Sequence, residues 1–84
     1  MVKEISLTYN NFSGEYYLDF DRNAKDRIYF NEADENKLVG KLRENIDFKR
    51  KSVLYLERGL SVSLFERISK LCENTNVQIT FKKG

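Results

Sequence analysis

The sequence predicts a small α+β domain with the order β-β-β-α-β-α-β, a mixed five-stranded sheet with two helices on one face. Three observations predict it. Apolar residues alternate with a period of two near the amino terminus. Two later segments carry apolar residues at helical spacing. An apolar run lies between those two segments, and a strand–helix–strand unit demands parallel strands with a right-handed crossover. If the last three strands lie side by side, two such crossovers in succession put both helices on a common side. At 84 residues the chain reads as one domain, spanning 1–84.

Each element has its own warrant. In the first strand Ile5, Leu7 and Tyr9 face one way and Glu4, Ser6 and Thr8 the other. The cluster "NNFSG" (10–14) is a turn in which Gly14 can take positive φ. "EYYLDF" (15–20) alternates again, so the two runs form a hairpin. "DRNAKD" (21–26) reads as polar loop and "RIYF" (27–30) as a third strand. From Glu32 to Ile46, Leu38, Val39, Leu42 and Ile46 make one stripe. Asn31 is the expected N-cap, with Glu32, Asp34 and Glu35 in the first turn where anions complement the dipole. Gly40, off the stripe, predicts an irregular helix or, as the alternative, a partner approaching its backbone. "SVLYLE" (52–57) has the continuous apolar character of a central strand. Leu64, Phe65, Ile68, Leu71 and Cys72 make the second stripe. Ser63 and Glu66 have capping-box spacing and Ser61 is a rival cap. "VQITF" (77–81) closes the sheet with Val77, Ile79 and Phe81 inward.

Composition narrows function mainly by exclusion. The net charge of +2, from 15 basic and 13 acidic residues, does not by itself call for nucleic acid. Its distribution is uneven: residues 1–36 sum to −4 and residues 37–84 to +6. One cysteine closes no intramolecular disulfide and implies no oxidising compartment. No apolar run approaches the roughly 18 residues of a membrane span. The amino terminus lacks a signal-peptide core, so the expected compartment is the cytoplasm. A segment cut from a longer secreted or anchored protein reads the same way.

Catalysis has little to stand on. There is no histidine to act as a base near neutrality. Cys72 lies on an apolar stripe, where a thiol packs rather than reacts. The acids Glu32, Asp34 and Glu35 lack the spacing of a calcium loop, and no nucleotide-binding glycine motif or C-x-x-C is present. No catalytic residue, cofactor or metal site is therefore expected. An anion site is conceivable at the second helix start, from Arg58, Ser61 and Ser63.

Two surfaces merit attention. The first is basic: Lys49, Arg50 and Lys51, with Lys25 and Arg27 expected at the same end of the sheet. A charge run of this kind is usually a solvated loop. The second is aromatic. If the helices cover Ile28, Phe30, Leu54 and Leu56, then Tyr17, Tyr29, Val53 and Tyr55 gather on the open face. Exposed aromatic surface marks interfaces. The leading expectation is a non-catalytic protein-binding module, a small inhibitor or adaptor of the kind mobile elements encode. It would act through the open face and edges, with self-association through the same face as a variant. The alternative is single-stranded nucleic-acid binding, tyrosines stacking bases and the basic loop steering.

The stretches "YYLDFDRNAKDRIYFNEADENKLVGKLREN" and "SVLYLERGLSVSLFERISKLCENTNVQITF", about residues 16–81, resemble the small periplasmic domain of ExbD/TolR-type proteins. The resemblance lies in element order, helix lengths and the "NEADENKL" passage. It implies a periplasmic domain of an energy-transducing complex, without the transmembrane helix of that family. The second half is similar to STAS domains, in which a serine begins the helix after the central strand, as Ser61 or Ser63 would here.

Overall fold

The structure, a computed structural model, describes residues 3–21, 23–31, 34–57 and 60–81, with the backbone alone at Ala24. It contains β1 (Lys3–Asn10), β2 (Glu15–Phe20), β3 (Asn23–Phe30), α1 (Glu35–Asn45), β4 (Ser52–Leu56), α2 (Val62–Cys72) and β5 (Val77–Phe81). The five strands form one sheet in the order β3-β2-β1-β4-β5. β1–β2 and β2–β3 are antiparallel, while β1–β4 and β4–β5 are parallel.

Alternation decides which residues reach the core. Ile5, Leu7, Leu18, Phe30, Leu54, Leu56 and Val77 point from the sheet into one cluster with Leu38, Leu42 and Ile46, and with Leu64, Ile68 and Cys72. Both helices therefore cover the same face. Nine of these side chains are fully buried, Leu54 and Leu56 among them. Full burial of a Leu or Ile contributes about 1.5–3 kcal/mol, so this single layer carries most of the fold.

The local signals act where the chain must turn. The Asn10 carbonyl accepts from Gly14 N at 2.8 Å, the Asn10 side chain accepts from Phe12 N at 2.9 Å, and Gly14 has φ +73°. An L side chain at Gly14 would strain that turn. The second turn closes through Asp21 at φ 52°, whose Oδ1 accepts from Glu4 N.

Four expectations need correction. The segment 23–26 is strand, not loop: β3 begins at Asn23. It is an edge strand with one exposed side, so it carries polar residues without losing its pairing. The N-cap of α1 is Asp34, whose side chain accepts from Asn36 N, and not Asn31. The helix starts three residues later than the acid run suggests; Glu32 lies outside the described residues. Gly40 sits inside an uninterrupted helix, with nothing within 4 Å of where a Cβ would stand. The cap of α2 is Ser61, accepting from Leu64 N at 3.0 Å, so the Ser63–Glu66 spacing is not a capping box.

Strand order has the largest consequence. β3 runs parallel to β4 but lies at the far edge; β2 and β1 stand between them. Ile5 and Leu7 are buried on the helix side of β1, which pairs on both edges.

Candidate functional site: the open face of the sheet

The side of the sheet opposite the helices is set by the other half of each alternation. β1 contributes Glu4, Ser6 and Thr8; β2 contributes Tyr17 and Asp19; β3 contributes Arg27 and Tyr29; β4 contributes Val53 and Tyr55. No described helix or strand lies across this face.

The register arranges these residues. Thr8 pairs with Tyr17, and Tyr17 with Tyr29. Ser6 stands between Asp19 on one side and Tyr55 on the other. Glu57 follows one residue beyond the Leu7–Leu56 pair, its N–H donating to Leu7 O at 3.1 Å. Short side chains on β1 thus lie between taller ones on β2 and β4. The result is a furrow of about 510 Å³ floored by Ser6 and Thr8. Tyr17, Asp19 and Arg27 wall one side, Tyr55 and Glu57 the other, and Glu4 also lines it.

The β2–β3 wall is already assembled. Arg27 donates to Asp19 twice, Nε to Oδ1 at 2.7 Å and Nη2 to Oδ2 at 3.2 Å. Its guanidinium carbon lies 4.3 Å from the Tyr17 ring centroid and 6.0 Å from that of Tyr29. Hydrogen bonding to Asp19, then to Tyr29, raises the Arg27 pKa further, so the group stays charged. Bidentate pairing and ring contact together fix the guanidinium in place.

The four expected interface residues fall into two strips. Tyr17 and Tyr29 adjoin, with ring centroids 6.0 Å apart. Val53 and Tyr55 lie across β1. Tyr29 is exposed, at 59%, and the other three are half-buried. Sequence reasoning did not include Asp19, Glu57 or the Ser6–Thr8 floor. The signal was there in two triplets, Tyr17-Leu18-Asp19 and Tyr55-Leu56-Glu57.

The five cations do not assemble as expected. Lys49, Arg50 and Lys51 are exposed in the loop before β4. Their backbone is pinned: Lys49 N donates to Asp47 Oδ1, and the Lys49 carbonyl accepts from Asn76 Nδ2. Lys25 and Arg27 belong to β3, three strand positions away, about 14 Å at ordinary strand spacing. Lys25 and Arg27 are therefore not neighbours of the loop, because β1 and β2 occupy the space between.

The expected anion site has a carboxylate in it already. Ser61 Oγ donates to Glu35 Oε1 at 2.7 Å and Ser63 Oγ to Glu35 Oε2 at 3.0 Å. Arg67 Nε is 3.5 Å from Glu35 Oε2, and Arg67 also donates to the Asn36 side chain. These bonds, Ser61 first, then Ser63, and the Arg67 charge hold the Glu35 carboxyl below its ordinary value. Glu35 thereby ties the start of α1 to the start of α2. Arg58 lies outside the described residues. Cys72 is buried, and burial pushes its thiol up to about 11, far from the thiolate that reaction requires.

No protein-family model matches this chain, and neither a curated protein nor a solved structure does.

Proposed function

We propose that this chain is a non-catalytic protein-binding module, a small inhibitor or adaptor, that docks a partner on the open face of its sheet and its flanking edges. The observation that carries this reading is the furrow between Tyr17 and Tyr55. Tyrosine supplies large contact area at small entropic cost, and rigid aromatic anchors dominate binding energy. These residues are not needed to close the core, which the helix side supplies. A cytoplasmic setting suits a chain whose one thiol is buried and unpaired.

The test is capture from the native host with the partner identified by mass spectrometry. A Tyr17→Ser/Tyr55→Ser double variant is expected to lose that partner while keeping its unfolding transition. Undiminished capture by the folded double variant refutes the reading.

A further inference from the structure

The two edges of the sheet are not alike. β3 is blunted in the ways edge strands usually are. Lys25 and Asp26 stand exposed on it, and its pairing with β2 shifts register between Leu18 and Phe20. β5, at the other edge, reads Val-Gln-Ile-Thr-Phe, with no charge and no proline, and pairs with β4 without a shift.

The register fixes which backbone groups β5 leaves open. Ser52 N donates to Asn76 O at 3.1 Å, with Ser52 opposite Val77. A parallel ladder continued from that bond spends the N–H and C=O groups of Gln78 and Thr80 on β4. Those of Val77, Ile79 and Phe81 point outward. Val77 N–H donates to Thr75 Oγ1 at 3.2 Å; among the described residues nothing caps the groups of Ile79 and Phe81. An apolar border runs beside this open edge. Val77 and Ile79 pack on the core, and Phe81 stacks on Phe65 of α2 with centroids 5.0 Å apart. Phe81 is 59% exposed, as is 74% of Val62, three residues before Phe65 on the same side of α2.

We infer that β5 pairs antiparallel with β5 of a second copy of this chain, about a two-fold axis at Ile79, giving a closed dimer with one continuous sheet. The contact uses an edge and not the furrow, so it does not depend on the open-face reading.

The second copy is the occupant because this edge is its own complement. With the axis at Ile79, its N–H donates to the carbonyl of the partner's Ile79 and its carbonyl accepts in return. Phe81 N–H donates to the carbonyl of the partner's Val77, again reciprocally. An axis at Gln78 or at Thr80 sends Phe81 or Val77 past the end of the strand; only Ile79 keeps all three outward residues within it. Opposed side chains then match, Val77 with Phe81 on the helix side and Gln78 with Thr80 on the other, and no like charges meet within the paired strands. The blunted β3 does not repeat the pairing, so assembly stops at two. Five strand residues span about 17 Å. The interface therefore falls at the small end of specific interfaces, below about 1,200 Å² in total, and a reversible dimer with a Kd of about 10–100 μM is expected.

Sedimentation equilibrium from about 10 μM to 1 mM measures the association, and amide hydrogen exchange at the two ends of that range locates it. Ile79 and Phe81 are expected to gain protection with concentration, and the amides of β3 are not. Ile79→Pro removes the donors at the axis, at a position where an edge strand tolerates proline because the N–H faces outward. Phe81→Lys sets a charge opposite Val77 at an exposed site and is expected to keep its unfolding transition. Each variant should weaken the dimer at least about tenfold. A monomer throughout the range, growth beyond the dimer, unchanged exchange at Ile79 and Phe81, or an undiminished dimer of folded Phe81→Lys overturns the inference. Loss of the dimer in the Tyr17→Ser/Tyr55→Ser variant also overturns it, by placing the contact on the open face.

Discussion

The two sides of β4 make an instructive comparison. Ser52, Leu54 and Leu56 face the helices and are buried, the two leucines completely; Val53 and Tyr55 alternate with them and are half-exposed. The backbone hydrogen bonds serve both sets equally. What differs is whether a second layer lies above. On the helix side α1 and α2 close a core; on the other side the same strand offers aromatic surface to a furrow of about 510 Å³. The comparison teaches that in so small a domain one layer secures the fold, and the opposite face is not needed to close the core.

The largest expected effect is on the covered side. Leu54→Ala should destabilise by about 3 kcal/mol through lost burial and a residual cavity, lowering the Tm by roughly 15 °C. Thermal unfolding followed by circular dichroism checks it. One residue along, Tyr55→Ser should cost about 1 kcal/mol or less, as a half-exposed site without a core partner. Equal losses at positions 54 and 55 would erase the difference between the faces.

Gly40→Ala should stabilise by about 1 kcal/mol, because α1 is regular there and the added methyl meets open space. A loss of stability would mean that the outer side of the helix layer is less free than it looks. The smallest effect concerns Glu35. Its folded pKa lies below its unfolded value, so its contribution is present above the ordinary glutamate value of about 4.3. That contribution is lost as the pH falls through the lower folded value. Glu35→Gln should flatten this part of the acid limb in denaturant titrations run at several pH values. The contribution is small because the group is solvent-screened. An unchanged acid limb would show that the tie between the helix starts does not depend on charge.

The order of elements and the side most residues take were legible, because both follow from local periodicity; Phe81, expected inward, instead stacks on Phe65 and is 59% exposed. Ile5–Leu7, Leu64–Ile68 and the 52–56 run carry strong patterns that the structure reproduces. Strand order was not legible. It depends on which strand pairs with β4 across a long connection, and β1 and β3 are both short alternating runs. Placing β1 beside β4 separates Tyr29 from Tyr55 and Lys25 from Lys49. The beginning of α1 was ambiguous because Asn31, Asp34 and Asn36 all have capping chemistry within six residues. The first four residues of β3 were hidden because an edge strand has little apolar alternation. Glu35 could not be matched to Ser61 and Ser63 in advance, since the contact spans 26 and 28 residues. By contrast, the pairing of Tyr with an acid two residues later, at 17–19 and 55–57, was visible in the sequence. The fold sets the two triplets on either side of β1.

Solvent accessibility of methyl groups tests the division of the sheet most directly. A soluble nitroxide added to methyl-labelled protein broadens resonances according to their exposure. The account predicts strong broadening at Thr8 and Val53 and protection of Ile5, Leu7, Leu54 and Leu56. Protection of Thr8 and Val53 in the isolated monomer, at the level of the leucines, would contradict it, because some part of the chain would then already cover the face on which a partner is proposed to dock.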